Sequence, residues 1–459
     1  MLSGGFLLAV LFLSCISNEH FFYAMTYTHH IIVQTRQGPI VNDPHLKVEL
    51  VVRGIDFPTS MAFLGPNDIL VLEKNNGTVQ RIITGNMLPQ PLLHVNVDTK
   101  GERGLLGIAV AKNVTRNTTY VFLYYTQAWT RNAEDVIEGK DPICSCLYRY
   151  ELIDNKLINP VLLLNLPAKP GFYNETDHLG GKIVIGPDRN VYLGVGDVGG
   201  HMTQAINVKG GMPPDGTGGI LRITQDGKKV HDILGNTYPL NLYYAYGIRN
   251  SFGMDFDPVT KTLWDTENGP AYGDEINLVE PGFNSGWIKV QGIWNPVPPV
   301  NYIAGNITLH LDKLLVDFAG KGKYRPPEFI WYQEVGPTAL KFLYSDRLGK
   351  QYENEIFVGD FHDGNLYHFQ LSKNRTELIL NGSLASKIAN NTTDLQTLIF
   401  AHGFGGITDI QVGPDGYLYI LSLYAGGDDC NPIPELYNKP CISYSSSIKG
   451  SIFRIVPAN

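Results

Sequence analysis

The sequence predicts an all-β fold, a six-bladed β-propeller, and three observations carry that prediction. One strand-and-turn unit recurs six times along the 459 residues. Turn formers, 49 Gly and 28 Pro, are spread throughout with no low-complexity block. The hydrophobic pattern contains no amphipathic helix longer than a few turns.

Each unit is an apolar strand, a Gly/Asn/Asp turn, and a second strand that often ends in Arg-Ile. The second strands are GTVQRI (77–82), CLYRY (146–150), GILRI (219–223), DEINL (274–278), GNLYHF (364–369) and GSIFRI (450–455). DILVL (68–72) and EIFVG (355–359) are examples of the preceding partner. A second repeat sets GPDRNVYL (186–193) against GPDGYLYI (413–420). The starts lie 55 to 90 residues apart, the spacing expected of four-stranded blades around an axis. Abundant Tyr, Phe, Val and Ile suit pleated surfaces. A pair of β-sandwiches explains the six-fold recurrence poorly. The length-based prior of roughly 150 residues per domain fails for a closed β architecture, so 46–459 is read as one propeller.

Before the propeller, residues 1–24 read as an export signal. The apolar run 5–16 (GFLLAVLFLSCI) ends at Ser17-Asn18-Glu19 and is too short to span a bilayer. It lacks a positive n-region, and Ser14-Cys15 matches a lipid-attachment point poorly. Residues 25–45 form a lead-in, where His29-His30 reads as a solvated pair. The expected location is extracellular or the cell envelope.

Without Cys15, four Cys remain, an even number that suits disulfides in an exported chain. Cys430 and Cys441 bracket a ten-residue loop with three Pro and are candidates for one bridge. A bridge between Cys144 and Cys146 is strained; each pairs elsewhere or stays a thiol in the alternatives left open. Nine N-x-S/T sequons, at Asn76, Asn113, Asn117, Asn174, Asn306, Asn374, Asn381, Asn390 and Asn391, agree with an exported, glycosylated surface. The net charge of −8, with no run of Lys or Arg, excludes a nucleic-acid footprint.

Propellers place chemistry on the loops at one mouth. Three polar clusters fit such loops. Asp177-His178 precedes the strand KIVI (182–185), and a His beside a carboxylate suits a general base. Asp197, ending GVGD (194–197), is placed to support it. Arg249-Asn250, in YGIRN (246–250), pairs a cation with an amide and suits an oxyanion or cofactor carbonyl. Glu267-Asn268-Gly269-Pro270, leading into Asp274-Glu275, offers carbonyls and carboxylates, the hard oxygen ligands of Ca²⁺. Each cluster has a structural reading too: a loop-tying His, a loop-tying Arg, a plain Gly-Pro turn.

Together with GERGLLG (101–107), these motifs in this order resemble the glucose/sorbosone dehydrogenase family, from about Phe57 to Val456. The resemblance implies a soluble, exported quinoprotein on a six-bladed propeller. Such an enzyme oxidises aldoses with pyrroloquinoline quinone and Ca²⁺, and passes electrons to an acceptor. It implies His178 as the base at the sugar C1 hydroxyl and Asp177 as the residue that orients the sugar or the His. Arg249, Asn250 and Asn268 become quinone contacts, and Arg249 polarises the quinone during catalysis. The carbonyls of Gly269 and Pro270 become ligands of the cofactor's Ca²⁺, with Glu275 and the Ser285 backbone at a second Ca²⁺. The family's late Lys and two Arg, which bind the cofactor's carboxylates, correspond here to His362, Gly406 and Thr408. Each lost charge-assisted contact costs about 1.5–3 kcal/mol. Lys321, Lys323 and Arg325 are candidates to compensate, although nothing in the sequence places them there. The competing expectations are a non-catalytic Ca²⁺-binding propeller that takes a glycan or protein partner, and a Ca²⁺-dependent hydrolase whose ligand set does not assemble.

Overall fold

The computed structural model describes residues 38–113, 117–129, 142–169, 176–230, 232–293, 314–423 and 449–458. The export signal, His29-His30, Cys430, Cys441, Asn174 and Asn306 lie outside them. The described strands are hydrogen-bonded into six sheets. Helix among the described residues is confined to short 3₁₀ turns and the single α-turn Thr392–Leu395. The architecture is an all-β propeller.

Every sheet starts with the same three antiparallel strands. The six recurring segments read from the sequence are all third strands: they fall in Thr78–Ile83, Cys144–Ile153, Gly219–Ile223, Tyr272–Val279, Leu366–Phe369 and Lys449–Pro457. The first strands are Pro58–Gly65, Leu105–Asn113, Ile183–Ile185, Ser251–Phe256, Pro337–Phe342 and Ile407–Val412. Each first strand touches those of the sheets before and after it, and the last touches the first, so the series closes on itself. The N-terminal strand Leu46–Asp56 completes the last sheet by pairing with Lys449–Pro457, which ties the two ends of the ring together. Ile40–Val41, within the expected lead-in, adds an edge strand beside Ile399–His402.

Each pair of neighbouring sheets encloses its own apolar cluster. Phe122, Tyr124, Leu193 and Leu221 fill the space between the second and third sheets. Trp264, Trp331, Phe329 and Phe342 fill that between the fourth and fifth. Burial of one such side chain contributes roughly 1.5–3 kcal/mol. The two Gly-Pro-Asp repeats serve one local purpose. Both join a first strand to a second, and both turn carboxylates hold a tyrosine hydroxyl of the second strand, Tyr192 to Asp188 at 2.9 Å and Tyr419 to Asp415 at 2.8 Å.

Across the ring, Lys182 on the third sheet meets Asp409 on the sixth, and the pair is almost fully buried. Asp409 also accepts Ser60 Oγ at 3.0 Å and the Met61 N–H at 2.9 Å from the first sheet. Cys144 and Cys146, whose pairing the sequence left open, are joined to each other. Of the sequons, Asn117, Asn374, Asn381, Asn390 and Asn391 are exposed, whereas Asn76 is half-buried and donates to Asp56.

Candidate functional site

Antiparallel order sends two kinds of connection to the same end of every sheet: the loop between second and third strands, and the segment entering the first strand. At that end lie residues 74–77, 102–104, 177–182, 196–218, 247–250, 268–271, 334–336, 361–365 and 403–406. The candidates Asp177, His178, Arg249, Asn250, Asn268, Gly269, Pro270, His362 and Gly406 therefore share one mouth. Glu275, Ser285 and Thr408 sit at or just inside its strands.

His178 occupies a left-handed backbone conformation, φ 61°. A non-glycine residue pays a steric penalty there and stays only when its surroundings hold it. Its Nδ1 lies 2.7 Å from Asp197 Oδ1. Asp197 is fully buried, and it also accepts Trp287 Nε1–H at 2.7 Å and the Gly200 N–H at 3.0 Å. Asp197 thus holds the ring by Nδ1, and Nε2 is the ring nitrogen left for the mouth. Asp177 does not make this contact; its Oδ1 accepts Thr176 Oγ1–H at 3.2 Å.

Arg249 donates from Nη1 to the Asn268 carbonyl at 2.9 Å, and its guanidinium lies 5.5 Å from the Trp287 ring centre. Asn250 is buried, and its Oδ1 accepts the Gly180 N–H at 3.1 Å. Trp287 thus touches both the Asp197 carboxylate and the arginine. The sequence gave no sign of this, because Trp287 lies 90 residues from Asp197.

The Gly269-Pro270 turn is braced by Asp274, whose Oδ1 accepts the Gly269 N–H at 2.8 Å. Its Oδ2 accepts the N–H groups of Val335 and Gly336 at 2.7 and 2.9 Å. A side chain at Gly269 would lie 1.9 Å from the Tyr272 carbonyl, so glycine is required. Beneath the turn three carboxylates, Asp265, Glu267 and Glu275, are buried together. Burial pushes Asp265 up to about 7 and Glu275 up to about 8, and burial plus Glu275 pushes Glu267 well above its usual range. Ser285 donates to Glu267 Oε2 at 2.6 Å and lies 3.3 Å from Glu275 Oε2, so Glu275 and Ser285 are neighbours.

Arg249 Nε and Asn268 Oδ1 are buried without a hydrogen-bond partner, an unused donor and an unused acceptor beside the Gly-Pro carbonyls. That set fits a quinone and a hard cation. Near Glu275, Asn277 Oδ1 and Gln291 Oε1 also lack donors. Among the described residues no three His, Cys, Asp or Glu side chains converge as a metal cage, so a cation here would rest largely on neutral oxygens.

The end meant for the cofactor's carboxylates lacks permanent charge. His362 is half-buried beside Phe361. Gly406 abuts Phe361, and the Thr408 hydroxyl is 3.4 Å from the Leu421 carbonyl. Compensation does not come from the neighbouring loop. Arg325 is paired with Glu328 at 2.6 Å and with the Thr376 carbonyl at 3.1 Å, and Lys321 and Lys323 are exposed.

Comparison with known proteins agrees with this arrangement. A family model described as glucose/sorbosone dehydrogenase matches residues 55–428. Aldose sugar dehydrogenase YliI of Escherichia coli is 24% identical over 393 residues, covering 83% of this chain and 91% of that protein. Quinoprotein glucose dehydrogenase B of Acinetobacter calcoaceticus is 26% identical over 295 residues, covering 60% and 58% of the two chains. The PQQ-bound aldose sugar dehydrogenase from Streptomyces coelicolor superposes with a TM-score of 0.56 at 20% identity, over 89% of this chain and 98% of that one, and shares the fold. By the extent of the family match, this chain belongs to the glucose/sorbosone dehydrogenase family.

Proposed function

We propose that this chain is an exported quinone-dependent sugar dehydrogenase, that its six sheets act as six blades, and that it oxidises the C1 hydroxyl of an aldose at the mouth described above. The observation that carries the reading is the Trp287–Asp197–His178 chain of contacts, at 2.7 Å in each link, which holds the ring by Nδ1 and leaves Nε2 as the nitrogen available to a substrate. Closure of the first strands into a ring and one apolar cluster per sheet pair support the blade count.

His178 Nε2 takes the proton of the C1 hydroxyl while the hydride leaves C1, so the anomeric carbon becomes a carbonyl. Asp197 stabilises the imidazolium that forms and holds the ring in place. Pyrroloquinoline quinone, when bound with Ca²⁺, supplies the hydride acceptor. Arg249, Asn250 and Asn268 would hold its quinone end, and the carbonyls of Gly269 and Pro270 its Ca²⁺. Glu275, with Ser285, would hold a second Ca²⁺. Arg249 keeps a fixed positive charge where negative charge develops.

One observation favours the second reading, a Ca²⁺-binding propeller that takes a glycan or protein partner. His362, Gly406 and Thr408 offer an acidic cofactor no permanent charge. A single experiment separates the two. Purified protein is mixed with the quinone and Ca²⁺, and dye reduction is followed with several aldoses. Activity that disappears in His178→Ala supports the dehydrogenase. Absence of quinone binding by calorimetry at high micromolar cofactor sinks it in favour of the binding propeller.

A further inference from the structure

We infer that Glu102 is the positioning residue that clamps the base, an assignment that rests on the dehydrogenase reading of His178. Glu102 grips the Asp177-His178 dipeptide from both sides. Its backbone N–H donates to the Thr176 carbonyl at 3.0 Å, just before the dipeptide. Its carboxylate Oε2 accepts the Leu179 N–H at 3.1 Å, just after it. The enclosed residue, His178, is the one in the left-handed conformation. That conformation needs support from outside the turn, and Glu102 supplies it from 77 residues away.

The clamp is itself anchored. Gly101, at φ 58°, lets the two segments meet, because a side chain there would lie 2.6 Å from Thr176 Oγ1. Lys74 is almost fully buried and donates from Nζ to the Gly101 carbonyl at 2.9 Å. On the far side, Asn250 Nδ2 lies 3.4 Å from Glu102 Oε2, while Asn250 Oδ1 holds the Gly180 N–H at 3.1 Å. Glu102 thus joins the segment carrying the base to the loop carrying Arg249. Burial pushes its carboxyl up, and the nearby His178 works in the opposite direction. The clamp needs only an acceptor at this position and does not need a charge.

That distinction defines the test. Glu102→Gln keeps the acceptor, Glu102→Asp is one methylene too short to reach Leu179, and Glu102→Ala removes the group. Because a misplacement of about 1 Å at a reacting group costs about 100-fold, kcat is expected to fall 30- to 100-fold in the Asp and Ala variants. Their KM should stay within about twofold, and the Gln variant should keep kcat within about threefold. The His178 ring resonance, read in protein without sugar or cofactor and assigned by its loss in His178→Ala, should move in Asp and Ala and return in Gln. This second readout stands even if the wild-type protein oxidises no sugar, so failure of the function and failure of the clamp are separable. An unmoved resonance in Glu102→Asp, or a Gln variant as impaired as Asp, overturns the assignment.

Discussion

Replacing Asp197 by Asn tests the core of the proposed chemistry with almost no change of shape. In the native site Asp197 Oδ1 accepts from His178 Nδ1 and Oδ2 accepts from Trp287 Nε1, each at 2.7 Å, and Gly200 N–H adds a third donor at 3.0 Å. An amide can satisfy His178 and Gly200 with its single oxygen, or Trp287, but not all three. Turned to keep Trp287, it presents N–H to His178, which then must accept at Nδ1 and carry its proton at Nε2. The base is left in the wrong tautomer. The interaction lost is a charge-assisted hydrogen bond in a fully buried place, about 1.5–3 kcal/mol. If it is realised only as the imidazolium forms, kcat falls by about 10- to 150-fold and KM hardly moves. The assay is steady-state dye reduction by the reconstituted protein across a range of aldose concentrations, with a melting curve to show that the variant is folded. A folded Asp197→Asn protein with kcat within twofold of wild type would refute the assignment of His178 as a base held by Asp197.

Three further outcomes follow from other parts of the molecule. Lys182→Met leaves Asp409 buried without its cation, which should cost about 3–5 kcal/mol in chemical denaturation; an unchanged midpoint would show that the pair across the ring is not formed. His368 sits among Phe357, Tyr352 and Phe400, and burial lowers its pKa from the usual 6.5 to about 4. The unfolded chain therefore binds the proton more readily, so stability is complete above pH 6.5 and declines as pH falls toward about 4, by about 2–3 kcal/mol. His368→Phe should flatten that slope in pH-dependent melting, and an identical slope would count against it. Thr408→Arg with His362→Lys should tighten quinone binding at least tenfold by calorimetry.

The repeats were legible because they are local. A third strand such as Gly219–Ile223 carries its alternation and its turn within a few residues, and every segment read that way became a third strand. The two-residue pairings that widen the sheets were not legible. Phe283–Asn284, Lys323–Tyr324 and Ile388–Ala389 have no periodicity of their own and are placed by parallel pairing with distant partners. The same divide runs through the site. Asp177-His178 and Gly269-Pro270 are visible as dipeptides, and Asp197 stands out at a strand end. Trp287, Lys74 and the clamp by Glu102 act across long sequence separations, and only the folded ring brings them to His178. The sequence placed Glu102 within a matching motif but could not say what its carboxylate held.

The two halves of the mouth differ in kind. Around His178 each group is held by several others: Asp197 by three donors, the base's turn by Glu102 and Asn250, Arg249 by Asn268 and Trp287. Such mutual support is what a proton-transfer geometry needs, since small errors in position cost large factors in rate. Around His362, Gly406 and Thr408 the opposite holds. A Cβ at position 406 would press on Phe361 at 3.1 Å, and the Thr408 hydroxyl is 3.4 Å from a backbone carbonyl. Nor does the buried Lys182 supply the missing charge, because it is already neutralised by Asp409. Affinity for a tricarboxylate would then depend on Ca²⁺ at the Gly-Pro carbonyls and on Arg249. That dependence has a measurable sign: chelating Ca²⁺ should abolish quinone binding here outright, whereas a site with three permanent cations at the carboxylate end would retain part of it.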